Sequence, residues 1–357
     1  MHPIIAEDLE VIARGVSKEA RALEGKTLLI SGGAGFLGSF IVGAVHILNK
    51  NFLRRPCRVI SVDNYITAPE KSFLTELKDK NIKHLKADVV EPLKIRGPVD
   101  YIIHAAGIAS PAYYRKFPLE TIEAAVTGAK NLLELARRKA PRSFLFFSSS
   151  EIYGDPASGF IPTPEDYRGN VSSVGPRSCY DESKRLAETL CMTHHQVHGV
   201  PVKIVRPFNV YGPGTKLNDY RVIPTFITHG LVGKYLPVHG QGNQTRTFCY
   251  ISDATIGFLK ALLSSKNGEI YNIGLDTEEI TMADLAGMVS GFIGSKVASQ
   301  LINYPETYPA DEPRRRCPDL TKARKELDYR PMVDLNTGLH RTIAWHRDVL
   351  PQDYLIA

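Results

Sequence analysis

Tyr180-Asp-Glu-Ser-Lys184 sets a phenol and an ammonium four residues apart. On a helix both lie on one face, about 6 Å apart along the axis. A phenol titrates near ~10, too high for a base at neutral pH unless nearby positive charge stabilises the phenolate. An ammonium one turn away supplies such charge, and the pair suits removal of a proton from an alcohol. Upstream, Ser148-Ser149-Ser150 closes an apolar run. A hydroxyl there can share the hydrogen bond of a reacting alcohol.

A second group of residues suits a phosphate. Ser31-Gly-Gly-Ala-Gly-Phe-Leu-Gly38 holds both GxGxxG (Gly33, Gly35, Gly38) and GxxGxxG (Gly32, Gly35, Gly38). Such a turn brings backbone N–H groups at a helix N-terminus close to a pyrophosphate. Asp63 ends the next apolar run, 25 residues after Gly38. A carboxylate there bonds a ribose hydroxyl and repels a 2′-phosphate, which predicts NAD rather than NADP. A cationic nicotinamide would add to the charge that stabilises a Tyr180 phenolate. Asp88, at the end of the following run, is placed to reach the adenine.

These groups need strand ends and helix starts to hold them. KTLLIS (Lys26 to Ser31), RVISVD (Arg58 to Asp63), IKHLKAD (Ile82 to Asp88), VDYIIHAA (Val99 to Ala106), SFLFFSSS (Ser143 to Ser150) and VKIVRPF (Val202 to Phe208) read as strands. Helices are predicted from about Phe36, over Leu119 to Lys139, and from about Tyr180. Apolar strands alternating with helices predict an α/β fold, a Rossmann-type doubly wound parallel sheet covered on both faces. Beyond Asn209 the pattern loosens into Gly, Pro, Asn and Asp clusters, expected to form a smaller C-terminal substrate-binding lobe. The expected organisation is an N-terminal helix over 1–24, an NAD-binding domain carrying the catalytic residues over 25–208, and the lobe over 209–357, some of whose segments return to the first domain. Ile5, Leu9, Ile12 and Val16 recur at helical spacing, and this first helix suits packing on the domain or on another subunit.

Composition narrows the classes. The 357 residues are 43% hydrophobic and 23% charged, as in a globular rather than a disordered protein. A net charge of +6 suits an anionic substrate but is too mild to imply nucleic acid. No apolar run reaches the ~18–20 residues of a membrane helix, and the N-terminus lacks a signal-peptide core. Cys57, Cys179, Cys191, Cys249 and Cys317 are scattered, which points to a reducing compartment, taken as the cytoplasm. Cys191, His194, His195 and His198 lie close together, but imidazoles near a helix C-terminus before Gly199 suit the dipole, and no metal is expected.

Across Lys26 to Pro331, GGAGFLG, the strand ending VDN, HAAG, SSSEIYG, YDESK, RPFNVYGPG and RTFCYISD resemble the extended short-chain dehydrogenase/reductases that act on nucleotide sugars. ASPAYYRKFP (Ala109 to Pro118), SSSEIYGDP, EDYRGNVSSVGPRSCYDESKRLAETLC (Glu165 to Cys191) and NDYRV (Asn218 to Val222) look like the UDP-glucuronate decarboxylases. In the related 4,6-dehydratases the catalytic serine or threonine is followed by Asp-Glu, whereas Ser149 is followed by Ser150-Glu151. The acid that protonates a leaving hydroxyl is therefore absent.

The resemblance implies a site. Gly32, Gly35, Phe36, Leu37, Gly38, Asp63, Asn64, Asp88, Ala105 and Ala106, with Tyr180 and Lys184, would hold NAD. Ser149, Glu151, Tyr180, Lys184 and Arg316 would be catalytic. Tyr114 and Glu151 would lie by the sugar carboxylate, Arg316 by the reacting ring, and Asn209, Arg221 and Arg246 by the nucleotide diphosphate. Oxidation at C4 places a ketone β to the C6 carboxylate, so CO₂ leaves an enolate that is protonated at C5 and reduced back. Members of the family commonly dimerise through the helices expected at Leu119–Lys139 and Tyr180–Val197. The chain departs from the family at Ala125, Gly214, His239 and Cys317. A nucleotide-uronate 4-epimerase, a related decarboxylase using another nucleotide sugar and a non-catalytic NAD sensor are the alternative readings.

Overall fold

A computed structural model describes residues 1–69, 72–217, 219–294, 297–304 and 313–351. Asn218, the first residue of the NDYRV stretch, and the last six residues lie outside the described residues. Six strands fall where apolar runs predict them: β1 (Thr27–Ser31), β2 (Arg58–Asp63), β3 (Ile82–Lys86), β4 (Tyr101–His104), β5 (Ser143–Phe147) and β6 (Val202–Pro207). The later part contributes β7 (Val210–Tyr211), β8 (Leu236–His239), β9 (Thr245–Arg246), β10 (Cys249–Tyr250), β11 (Glu269–Ile273), β12 (Ile280–Thr281), β13 (Ser299–Ile302) and β14 (Arg315–Arg316).

One seven-stranded sheet runs β11-β6-β5-β4-β1-β2-β3, parallel at every pairing. β1, β4 and β5 are buried along their whole length, which explains their unbroken Leu, Ile and Phe. β3 is the edge strand, and its lysines and histidine are exposed or half-buried. The chain starts at β1 in mid-sheet and later resumes at β4 on its other side, so a crevice opens beyond the C-terminal ends of these two strands. Five strands are shorter than predicted: β1 starts at Thr27, and β3, β4, β5 and β6 end at Lys86, His104, Phe147 and Pro207. Beyond β5 the serines leave the ladder: Ser149 Oγ accepts the Glu151 N–H at 3.2 Å and caps a 3₁₀ turn, Ser150–Tyr153. Glu151 thus sits in a turn and not on the strand end.

Helices cover the sheet. α1 (Pro3–Gly15) packs on α2 (Phe36–Asn51) and on α7 (Ile251–Leu263), with Ile5, Leu9, Ile12 and Val16 all buried. The first helix therefore packs on its own chain. α3 (Pro111–Lys116) and α4 (Pro118–Lys139) follow β4, and α5 (Ser178–His198) lies along α4. α6 (Val222–Leu231) and α8 (Met282–Ile293) pack against the short parallel pair β8–β13. α9 (Thr321–Leu327) and α10 (Leu335–Val349) close the chain. Cys191 is buried in the α4–α5 layer, and His195 Nδ1 lies 2.8 Å from the Val200 carbonyl. No described helix is long and apolar enough to cross a membrane.

Candidate active site

The glycine turn fills the gap between β1 and α2. A Cβ at Gly32, whose φ is +73°, would stand 2.6 Å from the backbone of Ala105 and Ala106. One at Gly38 would stand 2.1 Å from the Gly32 carbonyl oxygen. These two glycines are required by the fold itself. A Cβ at Gly35 would meet only the Gly32 oxygen, at 3.3 Å, and Gly35 lines the crevice at the start of α2. The space above it is the space a pyrophosphate needs. Asp63 takes the N–H of Ala34 at 3.0 Å and of Tyr65 at 2.9 Å, which fixes its carboxylate at the rim. Burial pushes its pKa up, against those backbone bonds. Asn64 donates to Asp88 at 2.8 Å, and Asp88 also accepts from Val90. Gly32, Gly35, Asp63, Asn64, Asp88, Ala105 and Ala106 share one recess of about 110 Å³. The recess, its open glycine and its carboxylate fit a dinucleotide. Phe36 and Gly38 line neither this recess nor the larger cavity beside it. The Phe36 ring packs edge-on against Phe40 at 6.0 Å, and Gly38 packs on the turn.

The larger cavity, about 720 Å³, is of a size for a nucleotide sugar. Ser149, Glu151, Tyr180 and Lys184 line it, as do Leu37, Ala105 and Tyr114. Asn209, Arg221, Arg246 and Arg316 line it from the later part of the chain. Tyr180 sits in the first turn of α5, and its ring is stacked on Tyr114 at 5.4 Å and 13°. Burial pushes the phenol up, the Ser149 hydroxyl's hydrogen bond pulls it down, and Asp181 opposes the lowering by Arg221 and Arg177. Lys184 Nζ donates to the Phe147 carbonyl at 2.8 Å and lies 6.0 Å from the Tyr180 ring. Burial lowers its pKa to about 8. The buried Ser148 hydroxyl at the cavity wall has no hydrogen-bond partner among the described residues.

The three consecutive arginines separate by strand alternation. Arg315 faces out to Glu279, at 2.6 and 2.7 Å, while Arg316 turns in and is buried. β14 registers Arg316 beside Arg246 of β9. Arg316 grips Glu151 with both terminal nitrogens, at 2.6 and 2.7 Å. Glu151 has a second guanidinium partner, Arg177, which also lies 3.4 Å from Asp181. The sequence reading missed Arg177. It is three residues before Tyr180 within the quoted GPRSCYDESK stretch, and no local spacing singles it out. Arg221 pairs with Asp219 at 3.0 and 2.6 Å, and Arg246 donates to the carbonyls of Thr245, Pro313 and Arg314. Asn209, at φ +40°, donates to the Thr247 carbonyl at 2.9 Å.

Of the departing positions, His239 stacks on Tyr304 at 5.3 Å along the cavity. Gly214 adopts φ +85° beside the Phe40 ring, a conformation an arginine would strain. Ala125 is buried in α4, and Cys317 is buried at the end of β14.

The family described as NAD dependent epimerase/dehydratase matches residues 28–274. A UDP-glucuronic acid decarboxylase of Arabidopsis thaliana is 42% identical over 87% of this chain and 86% of its own length. Among solved structures, an epimerase from Methanothermobacter thermautotrophicus superposes with a TM-score of 0.81 at 26% identity, covering 93% of this chain and 95% of that one. A UDP-glucuronic acid 4-epimerase from Bacillus cereus, solved with UDP-glucuronic acid and NAD, gives 0.73 at 25% identity, covering 90% and 99%.

Proposed function

The chain belongs to the NAD dependent epimerase/dehydratase family, and from that premise we propose that it decarboxylates UDP-glucuronate to UDP-xylose. The observation that carries this reading is Glu151 on Arg316, lining one cavity with Ser149 and Tyr180. An enzyme that must handle a carboxylate at C6 needs a cation there, and Arg316 is that cation.

Gly35 and Asp63 would hold NAD, which would supply a hydride acceptor and donor for C4 of the sugar and a cationic ring beside Tyr180. Tyr180 takes the C4 hydroxyl proton, and Ser149 shares that hydroxyl's hydrogen bond. Lys184, with its Nζ 6.0 Å from the Tyr180 ring, adds positive charge on the side of the phenolate. The ketone formed at C4 is β to the carboxylate, so the C5–C6 bond electrons move into an enolate as CO₂ departs. Ser149 and Tyr180 donate toward the enolate oxygen. Glu151 and Arg316 hold the ring so that the breaking bond aligns with the carbonyl. A proton from solvent at C5, the hydride returned to C4 and the Tyr180 proton returned to the C4 oxygen complete the pentose. Arg221, Arg246 and Asn209 serve the diphosphate end.

Two long helices, α4 and α5, lie side by side and present Leu119, Ile122, Leu186 and Val197 to solvent, at 70, 39, 51 and 68% exposure. A second copy covering this face makes a homodimer. A reducing compartment, the cytoplasm, suits the five unpaired cysteines.

Glu151→Gln tests the reading. It keeps size while removing the charge that pairs with Arg316, and CO₂ release should fall by about 10²-fold, the effect of losing the geometry that aligns the breaking bond. An unchanged rate would remove Glu151 from the reaction.

A further inference from the structure

We propose that Arg177 is the receiving partner in a carboxylate exchange: when the substrate carboxylate takes Arg316, Glu151 is retained by Arg177. The inference rests on the decarboxylase reading and deepens it.

Glu151, Arg177 and Arg316 line the cavity, and Asp181 stands behind Arg177. Glu151 contacts both Arg316 and Arg177, and Arg177 also contacts Asp181. All four side chains are largely buried, between 7 and 16% exposed. Among the described residues, two carboxylates of this group face two guanidiniums. Within it Glu151 is shared asymmetrically. Arg316 takes both oxygens in a two-pronged grip, whereas the bond from Arg177 goes to Oε2. The fork on Arg316 is the geometry a second carboxylate would claim. A uronate arriving in this cavity therefore meets an arginine already occupied by the protein's own carboxylate.

A displaced Glu151 stranded in a buried pocket would be costly, because an unpaired buried carboxylate loses its solvation without compensation. Arg177 removes that penalty, since it already holds Oε2 and needs no approach. Asp181 holds Arg177 from the other side, one helical turn along α5. The bound uronate adds one negative charge to this group. Departure of CO₂ moves that charge onto the enolate oxygen at C4, away from the two guanidiniums. The exchange thus favours departure of the carboxylate, and a neutral sugar at the same place leaves Glu151 on Arg316.

The test is a binding comparison in NAD-loaded protein carrying Tyr180→Phe, so that bound sugar is not consumed. Calorimetric titrations use UDP-glucuronate and UDP-glucose, which differ at C6. Arg177→Gln should weaken UDP-glucuronate by about tenfold or more, since the displaced carboxylate has lost its partner, and change UDP-glucose by less than about twofold. Glu151→Gln alone should tighten UDP-glucuronate, having no charge to displace. Added to Arg177→Gln it should restore uronate binding, and Arg177→Lys should recover part of it. Equal weakening of both sugars, or no recovery by Glu151→Gln in the double variant, would overturn the exchange and leave Arg177 a fold-supporting residue. If Arg177→Gln does not fold, weaker uronate binding in Glu151→Gln is the contradicting result. Failure of the parent protein to release CO₂ from UDP-glucuronate would instead bring down the functional reading.

Discussion

Asp63 works through charge and through two backbone bonds. Its carboxylate ties Ala34 of the glycine turn and Tyr65 beyond β2, and presents its remaining acceptor capacity at the recess. Asp63→Ala should weaken NAD⁺ by about tenfold, the loss of a charge-assisted hydrogen bond. It should also narrow the preference over NADP⁺, since the group that repels a 2′-phosphate is gone. Fluorescence titration with each cofactor checks this, and unchanged affinity for both would remove Asp63 from the site. Asp63 was legible in the sequence because a strand end and a glycine turn are both local patterns. Arg177 was not. Its partner Glu151 is 26 residues away across a turn, and the contact exists only because α5 begins against the loop after β5. Arg316 meets Glu151 across 165 residues, so a run of three arginines alone would read as a solvated surface.

The elements that hold the site were mostly legible, for a physical reason. Strands buried on both faces must be apolar, so β1, β4 and β5 stand out from polar loops. The two-residue strands β9 and β14 did not, because a pairing so short and so distant in sequence leaves no periodic trace. The partner of α1 was also hidden. Its apolar stripe predicted a buried face, but only the fold brings α2 and α7 to it. Asp8, on that helix, adds a pH dependence. It accepts from Tyr250 and Arg341, both at 2.8 Å, yet burial outweighs these bonds and raises its pKa from 3.8 to about 6. The fold thus favours the neutral acid. That stabilisation is complete below pH 3.8 and is lost as the pH rises through about 6. Relative to Asp8→Asn, the parent should lose up to about 3 kcal/mol between about pH 4 and about pH 7. Urea denaturation of both proteins at the two pH values measures it. A stability difference that does not move with pH would contradict the burial argument.

At the scale of the whole molecule, two surfaces stand out: the crevice between β1 and β4, and the outer face of α4 and α5, where we propose that a second copy docks. The second exposes four large apolar residues on helices that carry Tyr180 and Lys184 inward. A homodimer through that face would stiffen the helix that holds the base. Leu186→Asp places a charge in it and should convert a dimer to a monomer by light scattering at micromolar concentration. A monomeric parent would refute the interface. The crevice carries the central claim, that one cavity oxidises C4 of a UDP-uronate and releases C6. All members of such a family can share the oxidation, so the fate of C6 is the informative quantity. The decisive measurement is mass spectrometry of the purified protein incubated with NAD⁺ and UDP-glucuronate labelled with ¹³C at C6. The account predicts ¹³CO₂ and an unlabelled UDP-pentose in equal amounts, with neither formed by Tyr180→Phe. A labelled C4 epimer of UDP-glucuronate, without CO₂, would contradict it.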